Sequence, residues 1–204
     1  SKAKGKYIAL MTQDAAPHDN HWLIRLVNAI NSDENIAGVY SMQIPHSDAD
    51  ALMYMIAARS FTSESKKSES AIKNIEEYRK LAPKERYRFC NFDNVSSCIR
   101  KAVWEKFPFP KTDFGEDIEW AKRVLEAGYK IVYEPESIVY HSHDYSISGW
   151  YKRNKINYSK LKLKDKTFSA EKRNHTATVL PARNFISNAE FVTSGKEIPH
   201  WEIF

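Results

Sequence analysis

The sequence predicts an α/β fold, in which helices pack against the faces of a sheet. Short apolar runs alternate along the chain with stretches whose apolar residues have helical spacing, a pattern typical of strand–helix–strand units. With 204 residues, 42% of them hydrophobic, the chain is long enough to bury one core. No run of about 18 apolar residues occurs, so we expect no segment that spans a membrane.

The first part of the chain supplies two strand–helix pairs. YIALM at residues 7–11 predicts a buried strand, and the polar residues TQD follow its carboxyl end. Asp19 is expected to cap a helix whose apolar stripe begins at Trp22. IAGVYS at residues 36–41 predicts the second strand, and Asp48 would cap the helix after it. Two such units in succession favour a layered α/β domain.

The middle of the chain is less regular. TSESKKSES at residues 62–70 is poor in apolar residues, which predicts a mobile loop, and a short helix after it would stop at Pro83. FCNFDNVSSCI at residues 89–99 predicts a strand or an extended segment, and KAVWEKF predicts a helix. Because Cys90 and Cys98 lack CxxC spacing, we expect buried thiols of a protein in a reducing compartment, rather than a disulfide or a zinc site.

The segment FGEDIEWAKRVLEAGYKIVYEPESIVYHSH carries the residues of most chemical interest. It predicts a helix that stops at Gly128 and then two short strands, KIVYEP and SIVYHSH. Glu116 and Asp117 fall in the first turn of that helix, where the helix dipole favours negative charge whether or not the acids take part in chemistry. His141 and His143 fall on one side of a strand because side chains alternate, although such a pair alone is a weak metal signal.

Taken in order, several motifs resemble those of the family 2 glycosyltransferases of the GT-A fold and, within them, a bacterial rhamnosyltransferase-like branch. The matching pieces are TQDAAP followed by HWL, the strand GVYSMQIP, the segment NVSSCIRKAVWEKFPFP, the segment from FGED to HSH, and YKRN. The resemblance extends from about residue 7 to residue 154. It implies a partial GT-A fold, with a mixed sheet flanked by helices, and transfer of a sugar from a nucleotide diphosphate sugar.

The resemblance also implies a cation, Mg²⁺ or Mn²⁺, that neutralises the diphosphate leaving group. In the family, an acidic DxD motif ends a strand and holds that cation. The corresponding residues here are Thr12, Gln13 and Asp14, so only the last acid is present. The resemblance therefore makes Asp14 the first metal ligand and His141 the second, in a site weaker than a full DxD motif would give.

The family's catalytic base, an Asp in an ED motif at a helix start, corresponds to Asp117. The base would take the proton of an acceptor hydroxyl as that oxygen attacks the anomeric carbon, and this single displacement would invert the stereochemistry. Glu116 and Trp120 are expected to shape the acceptor site, and Lys152 and Arg153 to contact phosphates. The full set of predicted substrate-binding residues is Gln13, Ser96, Glu116, Trp120, His143, Lys152 and Arg153.

The resemblance alone implies the substrates: rhamnose carried by deoxythymidine diphosphate as the donor, and a glycan or lipid-linked polysaccharide precursor as the acceptor. Members of the family open with strands that bind the nucleoside, several dozen residues before the TQD position. We expect this N-terminal part to be missing from the chain. The edge of the YIALM strand would then be covered by self-association, giving a homo-oligomer, or by a tail of the chain.

The C-terminal quarter is strongly basic. From Tyr151 to Asn174, nine Lys and Arg residues stand against two acids, while the whole chain has a net charge of +5. We interpret residues 1–150 as the C-terminal portion of a GT-A domain and residues 151–204 as a basic, partly helical extension. Such a block favours an anionic membrane or substrate phosphates, with a solvated tail as the alternative. The predicted location is the cytoplasm, at the inner face of the cell membrane if the block binds lipid.

Three other functions remain open on the residues alone. A degenerate transferase that binds a glycan or a protein partner without catalysis would also have a reduced DxD motif. Nucleic-acid binding through the basic block lacks a recognised module, and we expect no nucleic-acid partner. A metal hydrolase built on HSH and ED lacks a nucleophile motif such as GxSxG or HExxH. The glycosyltransferase is therefore the favoured hypothesis.

Overall fold

A computed structural model describes residues 4–112, 115–143, 146, 148–153 and 155. The elements are β1 (Tyr7–Met11), β2 (Ala16–Pro17), α1 (Trp22–Asn31), β3 (Ile36–Ile44), α2 (Ala51–Ala57), β4 (Ser68–Ala71), α3 (Ile75–Lys80), α4 (Pro83–Phe89), β5 (Ser96–Arg100), α5 (Lys101–Lys106), α6 (Glu116–Glu126) and β6 (Lys130–Tyr140). Residues 148–153 are also helical. No helix in these ranges has the length and apolar character needed to cross a bilayer.

The strands form one mixed sheet, which confirms the predicted α/β class. Its strand order is β1-β5-β3-β6-β2, and β4 also pairs with β6. β3 and β6 are parallel, whereas β5 runs antiparallel to both β1 and β3. It follows that β1, β3 and β6 end at the same edge of the sheet, where β5 begins. Residues that follow β1 and β6 or precede β5 are therefore brought together at this edge, which we call the site edge.

Helices pack on both faces of the sheet. On one face, Leu26 of α1 is buried against Val39 and Val132 of the two central strands. On the other face, Trp120 of α6 belongs to a larger cluster that includes Phe92. Complete burial of an apolar side chain of this size contributes about 1.5–3 kcal/mol, so the two clusters hold the site edge on a rigid support.

Gly38 permits the closest contact between the sheet and this larger cluster. A Cβ atom at position 38 would lie 2.9 Å from Cε2 of Phe92 and 3.1 Å from the Trp120 ring. Any side chain would therefore push Phe92 away from the sheet. Because Phe92 directly precedes Asp93, this contact also fixes the segment that leads into β5 at the site edge.

Two helix starts differ from the sequence prediction by a few residues. The side chain of Asp50, rather than that of Asp48, caps α2 by accepting a hydrogen bond from the Met53 backbone N–H. Asp19 accepts from the backbone N–H of His21, which itself occupies the N-cap position of α1. Acidic residues two positions apart are equivalent in the sequence pattern, and the backbone path decides which one reaches the helix.

Three further elements correct the sequence prediction. KIVYEP and SIVY form the single strand β6, whose pairing with β3 shifts register between Ser41 and Met42, and the HSH residues predicted as part of a strand follow its end. Residues 68–70 of the predicted mobile loop, together with Ala71, form β4, because their backbone pairs with residues 130–133 of β6. Pro83 begins α4 instead of merely ending the preceding helix, which agrees with the tolerance of proline at the first position of a helix.

The YIALM strand, β1, is the outermost strand on one side of the sheet, a position different from the site edge, which is formed by strand ends. Within the described ranges, β1 pairs with β5 alone, and its side chains are half-buried or exposed, with Met11 43% exposed. The prediction of a buried strand was wrong because an apolar run does not distinguish an edge strand from a central one. Self-association of this edge stays a prediction.

Both cysteines are free and buried, as the sequence predicts. Burial raises the pKa of the Cys90 thiol and that of the Cys98 thiol to about 11. Since the thiolate is the reactive form, these residues act as small core side chains.

Candidate active site

Asp14, His141 and His143 converge at the site edge. The Nε2 atom of His141 is 3.6 Å from Oδ2 of Asp14, and Nδ1 of His143 is 3.7 Å from the same oxygen. One donor atom from each side chain lies within 4.8 Å of the others. The predicted approach of His141 to Asp14 is confirmed, and His143, predicted as a substrate contact, lies in the same cluster.

Backbone hydrogen bonds anchor the segments that carry these side chains. The N–H of Thr12 donates to the carbonyl of Val95 at 3.0 Å, which ties the segment after β1 to the start of β5. The N–H of His141 donates to the carbonyl of Ile44 at 2.8 Å, which ties the end of β6 to the end of β3. The cluster is therefore built on strand ends rather than on free loops.

The electrostatics of the cluster suit a divalent cation. The Thr12 hydroxyl, the Asp14 backbone N–H and the two histidines lower the pKa of the Asp14 carboxyl, which is ionised at neutral pH. Burial and the neighbouring His143 lower the pKa of His141, which favours its neutral form. Ionised carboxylate and neutral imidazole are the forms that bind metals. One oxygen and two nitrogen donors fit Mn²⁺ or Mg²⁺ with further oxygen ligands from substrate and water.

Gln43 and Asp93 extend the site edge beyond the predicted residues. Oε1 of Gln43 lies 2.9 Å from Nδ1 of His141, and the same side chain hydrogen-bonds the Asp93 carboxyl. Burial raises the pKa of Asp93 above its ordinary value. The sequence analysis missed both residues. An acid inside the largely apolar FCNFDNVSSCI and an amide near the end of GVYSMQIP were the signals that could have found them.

A cavity of about 260 Å³ opens on the α6 side of Asp93. Glu116 and Asp117 line it together with Asp93 and the rings of Phe61 and Phe92. Oδ1 of Asp117 accepts the backbone N–H of the next residue at 2.8 Å. Burial and the nearby Asp93 raise the pKa of Asp117 to about 6. A carboxyl that titrates near neutrality can accept a proton at moderate cost, which is the property of a general base.

A second cleft, of about 270 Å³, adjoins the histidines. Met53 and Ile56 of α2 give it an apolar wall, while His143 and Arg153 give it a polar one. Arg153 was predicted to contact phosphates, and it lines the same cleft as His141 and His143. Lys152 is exposed on the same helical segment. Residues 154 and 156–204, which hold most of the basic extension predicted from residue 151, lie outside the described residues.

The other predicted substrate residues fall into two groups. Gln13 is exposed next to Asp14, where a substrate can reach it. Trp120, in contrast, is 0% exposed, and its indole N–H donates to the Phe107 carbonyl at 2.7 Å. Ser96 is buried and bonds Oγ of Ser41 at 2.8 Å. Trp120 and Ser96 are thus core residues behind the site and offer no surface to a substrate.

Two curated bacterial proteins are similar in sequence. O-antigen chain rhamnosyltransferase WbaN of Salmonella anatum is 33% identical over 148 residues, which are 72% of this chain and 44% of that protein. O-antigen chain rhamnosyltransferase RfbN of Salmonella typhimurium strain LT2 is 36% identical over 141 residues, 68% of this chain and 42% of that protein. Over the matched residues the chain is therefore homologous to glycosyltransferases that are named as rhamnosyltransferases. It spans less than half the length of these glycosyltransferase relatives.

A solved glycosyltransferase has a similar fold. The mannosyltransferase PcManGT from Pyrobaculum calidifontis, in complex with GDP-Man and Mn²⁺, matches with a TM-score of 0.54 and 13% identity, over 97% of this chain and 53% of that one. At this identity the likeness concerns the fold alone, and it confirms the fold class that the glycosyltransferase resemblance implies. No protein-family model matches the chain.

Proposed function

We propose that the chain carries the catalytic residues of an inverting glycosyltransferase, which moves a sugar from a nucleotide diphosphate to a hydroxyl of a glycan or lipid-linked acceptor. One observation carries the proposal. A cluster of three possible cation donors and a half-buried carboxyl, Asp117 with a pKa of about 6, lie on the two sides of Gln43 and Asp93 at one edge of the sheet. Rhamnose carried by deoxythymidine diphosphate is the proposed donor because the curated relatives are named as rhamnosyltransferases.

The residues on the histidine side bind the diphosphate end of the donor. Asp14, His141 and His143 would hold Mg²⁺ or Mn²⁺, which when bound neutralises charge on the departing diphosphate. Gln13 is exposed next to Asp14 of this cluster. Lys152 is exposed on the helical segment 148–153, and Arg153 of the same segment lines the adjoining cleft. Their amide and cationic groups are suited to phosphate oxygens. The presence of GDP-Man and Mn²⁺ together in PcManGT supports a cation next to a sugar nucleotide in this fold.

The residues that line the cavity beside α6, which we call the acidic cavity, act on the acceptor. The acceptor oxygen forms a bond to the anomeric carbon while the bond from that carbon to the diphosphate oxygen breaks, and the electron pair leaves with the diphosphate. Asp117 accepts the proton that the acceptor hydroxyl loses. Glu116 and Asp93 face the same cavity and can accept hydrogen bonds from sugar hydroxyls, while Phe61 supplies an apolar surface for the sugar ring.

A non-catalytic function is the second candidate. The TQD sequence retains one acid of the DxD motif, which is the change expected in a transferase that has become a glycan- or partner-binding protein. Such a protein would keep the acidic cavity but bind no nucleotide diphosphate. Calorimetry with deoxythymidine diphosphate and Mn²⁺ separates the two candidates, since absence of binding favours the second.

A peripheral membrane contact belongs to the same proposal. The basic block from Tyr151 to Asn174 would bring the protein to the inner face of the cell membrane, where a lipid-linked acceptor would be found. Binding to vesicles that contain anionic lipid should weaken as salt rises. Absent or salt-insensitive binding would remove this part of the proposal.

Transfer itself is tested in the protein that carries this sequence. The protein is incubated with deoxythymidine-diphosphate rhamnose, Mn²⁺ and oligosaccharide acceptors, and transfer of labelled rhamnose is measured. Asp117→Asn should abolish transfer. Glu119→Gln should retain it, because Glu119 lies on the same helix but pairs with Arg123. The anomeric configuration of the product, read by NMR, tests inversion.

A further inference from the structure

We propose that Gln43 is a positioning residue that holds His141 in the tautomer whose Nε2 lone pair faces Asp14. The inference rests on the proposed function, in which His141 binds the cation. It adds a residue that contacts neither the cation nor the substrate in that proposal. Three features of the site edge support it.

The first feature is the contact between the two side chains. Oε1 of Gln43 lies 2.9 Å from Nδ1 of His141. A carbonyl oxygen accepts hydrogen bonds and donates none, so Nδ1 carries the hydrogen. A neutral imidazole has one N–H, which leaves the lone pair on Nε2. Nε2 is the atom that lies 3.6 Å from Oδ2 of Asp14, on the cation side of the ring.

The second feature fixes which end of the amide faces His141. A glutamine amide can in principle turn by half a rotation and present its NH₂ group instead. The Gln43 side chain also hydrogen-bonds the Asp93 carboxyl and lowers its pKa, which is the effect of a hydrogen bond donated to the carboxylate. The NH₂ group therefore faces Asp93 and Oε1 faces His141. Asp93 is itself held by the Val95 backbone N–H, which donates to its Oδ1 at 2.8 Å.

The third feature is the rigidity of both backbones. Gln43 pairs with Val139 in the parallel ladder between β3 and β6, and its N–H donates to the Thr62 carbonyl at 2.9 Å. The His141 N–H donates to the carbonyl of Ile44, the residue next to Gln43. The side chain of His141 is 15% exposed. The ring and the amide thus meet on fixed supports, as an outer partner of a metal-binding histidine usually does.

Removal of the amide has a defined consequence. Without Gln43 the neutral ring of His141 can place its hydrogen on either nitrogen, and the form with Nε2–H cannot bind a cation through Nε2. Loss of such an outer partner typically weakens metal binding by about 10–100-fold. Gln43→Leu keeps a side chain of similar length without the amide, so it isolates this contribution.

The experiment reads the tautomer directly in the metal-free chain. ¹⁵N-histidine-labelled protein is studied by NMR at about pH 8, above the ordinary histidine pKa of about 6.5. His141→Ala identifies the signals, and the exposed His21 serves as an internal reference. In the wild-type chain we expect a protonated Nδ1 and an unprotonated Nε2 at His141. In Gln43→Leu we expect a mixture of tautomers and Mn²⁺ binding weaker by about 10–100-fold.

Ser41→Ala is the matched control. Ser41 lies on the same strand and is buried, and its Oγ bonds Ser96 and Ser137 rather than His141. Ser41→Ala should leave both the His141 tautomer and the Mn²⁺ affinity unchanged. An equal effect of Ser41→Ala and Gln43→Leu would overturn the inference, because it would show a general loss of packing.

Two further results would overturn it. The first is an Nε2-protonated His141 in the wild-type chain, which needs no Gln43 variant and so holds even if Gln43→Leu fails to fold. The second is an unchanged tautomer and affinity in a folded Gln43→Leu. Failure of Mn²⁺ to bind the wild-type chain would instead contradict the proposed function, while the metal-free tautomer still decides the role of Gln43.

Discussion

Nε2 of His141 lies 3.6 Å from Oδ2 of Asp14, although β1 and β6 are the first and last strands of the described sheet in chain order. The proximity follows from topology, because both strands end at the site edge. Asp117 reaches the same region from the start of α6, through the cavity that it shares with Asp93. The site edge therefore has a cation side, with Asp14 and His141, and a carboxyl side, with Asp117. The predictions below test each side.

The cation side should bind Mn²⁺ through its three donors. We expect His141→Ala to weaken Mn²⁺ binding by at least about tenfold, measured by electron paramagnetic resonance. His21→Ala is the control and should have no effect, because His21 is exposed and is not one of the three cluster residues. Equal affinities of the wild-type chain and His141→Ala would contradict the assignment of His141 as a ligand.

The pH dependence of Mn²⁺ binding follows from the same residue. Protons compete with the cation for the imidazole, and burial lowers the pKa of His141 below its ordinary value. The contribution of His141 to the affinity should therefore persist as the pH falls through about 6.5, the ordinary histidine value, and be lost only below it. A titration of the difference between the wild-type chain and His141→Ala checks this. Loss of that difference above about pH 6.5 would contradict it.

We expect the Asp117 carboxylate to destabilise the folded state at neutral pH. As the pH rises, the carboxyl of the unfolded chain ionises near 3.9, whereas that of the folded chain ionises near 6. Between these values the native state holds a proton that the unfolded state has lost, so the free energy of unfolding falls with rising pH and stays reduced above about 6. Asp117→Asn removes this penalty. Urea unfolding at pH 8 should show a gain of about 1–3 kcal/mol, which shrinks toward pH 4.

The sign of that change is the critical result. A folded Asp117→Asn variant that is less stable than the wild-type chain at pH 8 would show that the carboxylate stabilises the fold. Glu119→Gln, on the same helix, is the control and should show no comparable gain, since its partner is the surface residue Arg123.

Gly38 should tolerate no side chain. Gly38→Ala places a Cβ atom 2.9 Å from Phe92 and 3.1 Å from Trp120, two rings packed in the core. We expect a loss of about 1–3 kcal/mol in the free energy of unfolding. Gly5→Ala is a useful comparison, because its closest contact, 3.3 Å, involves the Tyr7 backbone near the start of the described chain. Equal stabilities of the two variants would contradict the packing described for Phe92.

Trp120 should act as a core residue rather than an acceptor contact. Trp120→Phe removes the indole N–H that bonds the Phe107 carbonyl and leaves unfilled volume, so we expect a loss of about 2–4 kcal/mol in unfolding free energy. The KM for the acceptor should stay within about twofold in the protein that carries this sequence, well under the tenfold that 1.4 kcal/mol of lost binding would give. A large rise in KM with little loss of stability would return Trp120 to the acceptor site.

The sequence predicted those parts of the site that depend on local pattern. Asp14 follows an apolar run and His141 ends another, so their placement at strand ends was available from periodicity, and the motif order indicated that the ends would meet. The residues that connect the two sides of the site could not be predicted in this way. Gln43 and Asp93 acquire their roles from the contact of β3, β5 and β6, and no spacing in the sequence encodes that contact.

The incorrect placements have a related physical cause. Trp120 was assigned to the acceptor site because it is near Asp117 in sequence, yet the helix turns the large indole toward the core while the carboxyl lines the cavity. Ser96 begins a central strand, and its hydroxyl meets that of Ser41 on the neighbouring strand. Proximity in sequence does not tell on which face a side chain emerges, and tertiary packing decides it.

The most direct test compares Asp117→Asn with His141→Ala in the protein that carries this sequence. Transfer of labelled rhamnose and Mn²⁺-dependent binding of deoxythymidine diphosphate are measured for both variants. Division of labour between the two sides of the site edge predicts that Asp117→Asn loses transfer by at least about 10²-fold but binds the nucleotide normally, whereas His141→Ala weakens that binding. Near-normal transfer by Asp117→Asn, or unchanged nucleotide binding by His141→Ala, would contradict it.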